Sequence, residues 1–251
     1  MSAWQDLTQP KFMQEDVKME GIAPRESFVA LFDILGFESL VRNKALDSVF
    51  NIYSIVKKKT DKNIGEINKV LALNNYKIKI TSRVFSDTIF FYTSDIKGQN
   101  QKIVDKTFEA LMGACYFLLK NACRFYLPLR GAITIGELMV SGDVEVGASI
   151  IDAYKREKAQ DWIGCWIADE CLDRISNSES YFNKKEIVRY EIPLKCGIVQ
   201  KLYALNWLSH EPFRDNFDKI LGHMASKAKN EWEVKRKYMN THMFIDFLKK
   251  R

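Results

Sequence analysis

The sequence predicts an α+β protein built on one mixed β-sheet with helices packed against it. Apolar runs of strand length alternate with longer segments of helical period, and two of the strands are separated by only two residues. The resulting order, β-α-β-β-α-β-α-β, fits a sandwich of the ferredoxin-like kind. With 251 residues, of which 47% are hydrophobic and 28% charged, the chain can bury one substantial core.

The N-terminal half supplies the first three strands and the first helices. Residues 28–34 form a short apolar run that ends at a Leu-Gly turn, which is typical of a strand buried on both faces. Apolar residues spaced three and four apart then predict helical stretches at 38–43 continuing through 45–58, and at 64–73. The alternating residues 77–85 and the apolar run after Ser86-Asp87 predict a β-hairpin with Asp87 at its turn.

The second half begins with a long helix. From Lys102 to Ala122 apolar residues lie along one face of the predicted helix. Strand and helix patterns then alternate, with a strand at 129–140, a helix at 147–160 and a short strand at 164–168. Further patterns predict edge strands at 187–192 and 201–205, and C-terminal helices at 212–230 and 231–250.

Composition divides the chain into three parts. Residues 1–24 are polar, contain proline and lack a clean period, so we expect an N-terminal arm. We expect one folded domain over 25–208 and a helical extension over 209–251. Because no apolar run is long enough to span a membrane and the N-terminus is polar and acidic, we expect a cytoplasmic protein without a membrane partner.

The charged and metal-binding residue types exclude several classes of site. The net charge of +6 favours an anionic ligand, but basic clusters such as 57–59 are typical of solvated helix faces rather than of a nucleic-acid surface. The chain contains neither a P-loop nor a Rossmann glycine pattern. Its five cysteines form no CxxC pair and its three histidines lack metal-binding spacing, which predicts buried reduced thiols and no zinc site.

One carboxylate, Asp33, stands at the end of the first strand, where an ordinary buried strand carries an apolar residue. In a ferredoxin-like sheet this strand lies beside the hairpin, which brings Asp33 close to Asp87. Because two neighbouring carboxylates repel unless a cation lies between them, the pair indicates Mg²⁺ or Mn²⁺. Backbone N–H groups of residues 34–37 are then placed to bind triphosphate oxygens. The alternative is structural: Asp33 caps the following helix and Asp87 stabilises the turn.

Several of these segments together resemble the catalytic core of class III nucleotide cyclases. The segments follow the order of that family's motifs from Phe28 to about Asp169: FDILGF (32–37), FSDTIFFY (85–92), LRGAITIGEL (129–138) and GASIIDAYKREKA (147–159). Within that family the likeness is greatest to the pyrimidine cyclases of the bacterial anti-phage Pycsar system. Their sequences begin with a stretch like FVALFDILGF and continue through segments like VRYEIPLK (188–195) and YALNW (203–207).

The resemblance implies roles for the matching residues. Asp33 and Asp87 are the implied metal ligands for Mn²⁺ or Mg²⁺, with the backbone carbonyl of Ile34 as a third oxygen. Lys155 is the implied catalytic cation, and Arg130 the residue that contacts phosphate. The implied substrate-binding residues are Phe28, Gly36, Phe37, Arg83 and Arg130. The implied reaction is attack of the ribose 3′-oxygen on the α-phosphorus with loss of pyrophosphate.

The sequence departs from the family pattern on the helix that begins after Gly147. Purine-specific relatives place an Asn and an Arg four residues apart there, whereas this chain has Ile151 and Lys155. Lys155 keeps the cation, but the amide is absent. Either Asp152 and Arg156 substitute from one position along, or these two residues form an exposed salt bridge.

The residues that contact the base in purine cyclases also differ. The lysine of the hairpin is replaced by Arg83, and the acidic residue ahead of the helix by Val144. An apolar residue cannot accept a hydrogen bond from the adenine amino group, which disfavours ATP. Because arginine is purely a donor, Arg83 suits the carbonyl of UTP better than the amine of CTP.

We therefore expect a homodimeric uridylate or cytidylate cyclase with composite active sites. The resemblance implies a cyclic-nucleotide-binding effector as the downstream partner in anti-phage defence. Two alternatives stay open: an adenylate or guanylate cyclase with unusual base contacts, and a cyclase-like nucleotide-binding domain without turnover, which Ile151 motivates. A cyclic-dinucleotide synthase is disfavoured because no GGDEF-like turn occurs.

Overall fold

The structure is a computed structural model, and it describes residues 23–209, 214–227 and 232–250. Within these ranges the strands are β1 (Arg25–Ile34), β2 (Ile80–Phe85), β3 (Thr88–Thr93), β4 (Leu129–Ser141), β5 (Val144–Val146), β6 (Gly164–Ile167), β7 (Ile187–Pro193) and β8 (Val199–Leu205). The helices are α1 (Phe37–Asn43), α2 (Leu46–Leu73), α3 (Gln101–Arg124), α4 (Ala148–Ala159), α5 (Asp169–Arg174), α6 (Ser178–Asn183), α7 (Arg214–Lys227) and α8 (Trp232–Lys249). The predicted arm lies outside the described residues up to residue 22, as do residues 210–213 and 228–231 of the predicted extension.

The strands form one mixed sheet in the order β2-β3-β1-β4-β6-β8-β7, with β5 paired to β4. The first four neighbours, β2-β3-β1-β4, are antiparallel and have the strand order of a ferredoxin-like unit. β4 and β6 are parallel, which makes the sheet mixed. The predicted α+β class is therefore confirmed, and β1 lies beside the hairpin as expected.

The two faces of β1 enter different clusters. Phe28, Ala30 and Phe32 alternate into the main core, beneath α2 and α3. Val29 and Leu31 face the opposite way, into a smaller cluster that includes Ala153 of α4. By the same alternation Asp33 projects on the α4 side of the sheet.

The predicted break between 58 and 64 is wrong, because α2 is continuous through this segment. The polar residues that interrupt the apolar pattern face α3. Asn121 of α3 donates hydrogen bonds to Thr60 Oγ1 at 3.4 Å and to Asn63 Oδ1 at 3.2 Å. A buried polar contact between two helices thus looked like a loop in the sequence. The six-residue helices α5 and α6 were missed because they are too short to show a period.

The C-terminal helix α8 shares the main core. Phe244 and Ile245 are fully buried there, and the Phe244 ring lies 4.7 Å from the Trp162 ring, edge to face. The Ile163 N–H donates to Thr241 Oγ1 at 2.9 Å. None of the helices in the described part of the chain combines the length and the apolar character that a membrane crossing needs.

The cysteines are free, as predicted. Four of them are buried, and Cys196 is exposed. Burial raises the pKa of the Cys115, Cys165 and Cys171 thiols well above the usual value, so these side chains stay protonated and inert.

Candidate active site

Asp33 and Asp87 lie at the same end of neighbouring strands. Asp33 pairs in register with Thr88, the residue that follows Asp87. The Ile34 N–H donates to the Asp87 carbonyl oxygen at 3.1 Å, which ties the end of β1 to the hairpin turn. Ser86 adopts φ 52°, and this left-handed conformation lets the two strands join through two residues. The chain thus brings the two predicted metal-ligating segments together.

The Asp33 carboxylate is buried and has two cations beside it. Its Oδ1 accepts a hydrogen bond from Lys158 Nζ at 3.2 Å, and its Oδ2 lies 3.5 Å from Arg130 Nη2. Burial raises the pKa of Asp33, and the negative charge of Asp87 raises it further. Lys158 and Arg130 lower this pKa but do not cancel the rise. The carboxylate therefore sits where a positive charge is strongly favoured.

Arg130 is buried and fixed from three sides. Its Nε and Nη2 both lie 2.5 Å from Glu157 Oε1, and its Nη1 donates to the Gln160 carbonyl oxygen at 2.9 Å. These contacts anchor β4 to the last turn of α4. They also hold a positive charge next to Asp33, in a position set by the fold rather than by a flexible side chain.

Glu157 and Lys158 belong to the site, although the sequence reasoning did not select them. Ser149, Ala153 and Glu157 are spaced four apart and form the buried side of α4. A carboxylate on the buried side of a helix needs a buried cation beside it, so Glu157 was the signal in the sequence. Arg130 supplies that cation. Burial raises the pKa of Glu157, while Arg130 opposes the rise.

The donor set suits a hard divalent cation that binds together with a polyphosphate. No group of three or more His, Cys, Asp or Glu side chains able to hold a metal occurs in the described part of the chain. Mg²⁺ in nucleotide sites is usually held by one or two carboxylates, with substrate phosphates and water completing the shell. Asp33 and Asp87 are the carboxylates that would supply such a pair, and the Lys158 ammonium lies 3.2 Å from Asp33 Oδ1.

The predicted phosphate-binding N–H groups are only partly available. The Ile34 N–H is used by Asp87, and the Leu35 N–H donates to the Pro128 carbonyl oxygen at 2.9 Å. The expectation that the Ile34 and Leu35 N–H groups bind triphosphate oxygens is therefore wrong, because both groups are hydrogen-bonded to neighbouring loops. Gly36, at φ 74°, turns the chain into α1 and leaves its own N–H and that of Phe37 at the helix start.

Arg83 lies on the strand of the hairpin that forms the sheet edge, and it contacts the β4–β5 turn. Its Nε donates to Glu145 Oε1 at 2.8 Å, its Nη2 to the Gly142 carbonyl oxygen at 2.7 Å, and its Nη1 lies 3.2 Å from Asp143 Oδ1. Val144 is exposed between these two acids. The acidic group that the sequence lacks at position 144 is thus present on either side of it.

The other predicted residues lie apart from Asp33. Phe28 is fully buried, with its ring 5.2 Å from the Phe108 ring, a position that gives a ligand no access to it.

Lys155 and Ile151 are exposed on α4. Arg156 donates to both carboxylate oxygens of Glu170, at 2.8 and 3.1 Å. Of the two alternatives for Asp152 and Arg156, the salt bridge between them is therefore wrong, because Arg156 pairs with Glu170 instead.

Comparisons with known proteins give matches among solved structures. No protein-family model matches the sequence, and no curated protein matches it. The guanylyl cyclase Cya2 is 14% identical over 74% of this chain and 92% of that chain, with a TM-score of 0.44. The adenylyl cyclase CyaB from P. aeruginosa is 15% identical over 73% of this chain and 95% of that chain, with a TM-score of 0.46. A guanylyl cyclase domain from the aquatic fungus Blastocladiella emersonii is 15% identical over 73% and 96%, with a TM-score of 0.42.

Proposed function

We propose that this protein is a metal-dependent nucleotide cyclase that converts UTP or CTP to the 3′,5′-cyclic monophosphate and pyrophosphate. The observation that carries the proposal is the approach of Asp33 to Asp87 at the end of β1, beside the buried Arg130. Two carboxylates and a fixed guanidinium match the charges of a metal–triphosphate complex. The sequence motifs that contain these residues support the same reaction.

The reaction forms one bond and breaks one bond at the α-phosphorus. The ribose 3′-hydroxyl gives its proton to solvent and its oxygen attacks the α-phosphorus, while the bond from that phosphorus to the oxygen bridging to the β-phosphate breaks and pyrophosphate leaves with the bonding electron pair. A divalent ion held by Asp33 and Asp87 would lower the pKa of the 3′-hydroxyl and offset the charge on the leaving group. Arg130 adds a positive charge for the phosphates, and the N–H groups of Gly36 and Phe37 help to position them.

The pyrimidine preference is supported by the base-contacting positions of the sequence. Arg83 is a donor for a ring carbonyl, and Val144 offers no acceptor to an exocyclic amine. Of the two pyrimidines, UTP presents a carbonyl where CTP presents an amine. The proposal therefore favours a uridylate cyclase over a cytidylate cyclase.

One observation favours a second candidate, an adenylate or guanylate cyclase. Glu145 contacts Arg83 through a 2.8 Å hydrogen bond, so an acceptor and a donor stand together at the sheet edge. A carboxylate in this place accepts from an exocyclic amine, which UTP lacks. Adenine, guanine and cytosine all carry such an amine, so the base-contacting residues leave the purine nucleotides and CTP as competing substrates.

The proposal includes a homodimer with composite sites and a soluble messenger as its product. Support comes from large apolar side chains that are exposed: Phe85 on the hairpin, Val146 on β5, and Ile151 and Tyr154 on α4. Lys155 lies on the same exposed surface of α4, where it can enter a partner's site. By the sequence resemblance, the product would act in anti-phage defence through a cyclic-nucleotide-binding effector, in the cytoplasm.

The deciding experiment incubates the purified chain with each labelled NTP and Mn²⁺ or Mg²⁺ and separates the products by chromatography. Asp33→Asn and Asp87→Asn serve as site variants, and Asp143→Asn, whose side chain is 95% exposed, is the matched control. The proposal expects cyclic UMP or cyclic CMP from the wild type and the control and none from the site variants. A purine product would favour the second candidate. Nucleotide binding without product in any condition would favour the domain without turnover.

A further inference from the structure

We propose that Lys158 acts as an exchangeable internal cation, which occupies Asp33 before metal binds and must leave when a metal–nucleotide complex arrives. The inference rests on the proposed function, since it takes Asp33 as a metal ligand. It assigns a role to a residue that the sequence motifs do not mark. The consequence is that this chain binds a divalent ion weakly alone and more tightly together with a nucleotide.

The two cations beside Asp33 differ in their freedom to move. Arg130 has a side chain that is 3% exposed and is fixed by Glu157 and by the Gln160 carbonyl oxygen. The Lys158 side chain is 40% exposed and reaches Asp33 through its ammonium group alone. Lysine is a compact charge on a flexible stem, so it can leave a carboxylate without disturbing the backbone. Lys158 is therefore the cation that an incoming metal can displace.

Alternative contacts for the Lys158 ammonium lie close to its present position. Glu157 Oε2 is a buried oxygen without a hydrogen-bond partner, and it lies 3.6 Å from Lys158 Nζ. A shift of the ammonium toward this oxygen would form the missing hydrogen bond. The Tyr154 ring, whose centroid is 5.6 Å from the ammonium, provides a second contact on the exposed side. Both contacts lie on α4, within reach of the same lysine stem.

Charge balance explains why the exchange depends on nucleotide. Three carboxylates, Asp33, Asp87 and Glu157, lie with two cations, Arg130 and Lys158, so this cluster carries one net negative charge. A divalent ion alone would reverse this to one net positive charge while both cations stay in place. A triphosphate brings the negative charge that offsets both the ion and the released ammonium. The lysine thus disfavours a metal without its substrate.

Direct Mn²⁺ binding to the full chain tests the proposal. Free Mn²⁺ is measured by electron paramagnetic resonance, without nucleotide and with a non-hydrolysable UTP analogue. Lys158→Met removes the charge and keeps the stem, and Lys158→Gln is a second variant in case the first folds poorly. Lys69→Met, an equal charge change at an exposed position of α2, is the control. We expect Lys158→Met to bind Mn²⁺ about tenfold more tightly than the wild type without nucleotide, with a smaller gain when the analogue is present.

Two results would overturn the inference. Equal Mn²⁺ affinities for the wild type and both Lys158 variants would show that the lysine does not compete. An equal gain in Lys69→Met would show that the effect is a general change of charge. Asp33→Asn separates this failure from failure of the proposed function. If Asp33→Asn abolishes Mn²⁺ binding while Lys158→Met leaves it unchanged, only the exchange is wrong; if Asp33→Asn binds as the wild type does, the metal site itself is wrong.

Discussion

Arg130 and Glu157 form a buried ion pair across the interface of β4 and α4, with Arg130 Nη2 2.5 Å from Glu157 Oε1. The side chains are 3% and 0% exposed, so neither charge has water as an alternative partner. The pair joins the strand that borders Asp33 to the helix that supplies Lys158. The geometry around Asp33 therefore depends on an ion pair between two other elements, β4 and α4.

Removing one charge of this pair should destabilise the fold. Glu157→Gln removes the nearer of the two counter-charges of the buried Arg130 guanidinium and leaves Asp33 at 3.5 Å; breaking a buried pair costs about 3–5 kcal/mol. We expect a loss of this size in the free energy of unfolding, measured by urea denaturation. Glu170→Gln removes the 60% exposed partner of Arg156 and should change stability by less than about 1 kcal/mol. Equal losses in the two variants would contradict the central role of the buried pair.

The raised pKa of Asp33 predicts that the stability of the folded chain depends on pH. Because burial raises this pKa in the folded state, the folded chain binds the proton more tightly than the unfolded chain does. The stability that Asp33 contributes is thus full below its unfolded pKa and is lost as the pH rises through the folded pKa. Asp33→Asn removes this dependence. In metal-free buffer with EDTA, the stability of the variant relative to the wild type should increase between pH 4 and pH 7, as followed by urea denaturation.

An unchanged difference between Asp33→Asn and the wild type across that range would contradict the raised pKa. Asp143→Asn, which makes the same chemical change at a side chain that is 95% exposed, is the control. A difference that moves in the opposite direction would mean that Lys158 and Arg130 outweigh burial.

Much of the fold was predictable because its strands carry their own signals. The apolar run of β1, the two-residue turn of the hairpin and the amphipathic α3 each depend on local patterns, and all three appear where expected. The site was predictable only in part. Asp33 stood out as a carboxylate in an apolar strand, whereas Glu157 and Lys158 lie in a segment, YKREKA, whose charges look like an ordinary solvated helix end.

The physical reason is that burial of a helix face is set by its partner. Glu157 is buried because β4 presents Arg130 opposite it, and this pairing joins residues 27 positions apart. The same holds for the contact of Arg83 with Glu145, which spans 62 positions. No local period marks such pairs, so the electrostatics of the site became visible only in three dimensions.

The contact between Arg83 and Glu145 predicts how base selectivity can be changed. Glu145→Gln replaces a pure acceptor by an amide that also donates, so it favours a ring carbonyl over an exocyclic amine. We expect the ratio of kcat/KM for UTP to that for CTP to rise about tenfold, which corresponds to about 1.4 kcal/mol. Asp143→Asn, beside the same arginine but fully in solvent, should leave the ratio unchanged. An unaltered ratio in Glu145→Gln would place the base elsewhere.

Composite sites predict that two inactive variants restore one another. Asp33→Asn removes a metal carboxylate from the site of the chain that carries it, and Lys155→Met, made in a separate chain, removes the cation that this second chain lends to its partner's site. In a mixed dimer both defects fall on one site, and the other site contains intact residues from each chain. Random mixing makes about half of the dimers mixed, and each has one of two sites intact, so about a quarter of wild-type activity should return. Product formation is measured before and after the separately purified variants are mixed and allowed to exchange subunits.

Mixing Asp33→Asn with Asp87→Asn should restore nothing, because both carboxylates serve the same subunit's site and every site then has one defect. Activity that stays absent in the first mixture, although subunit exchange is verified by differential labelling, would mean that each chain builds its site alone.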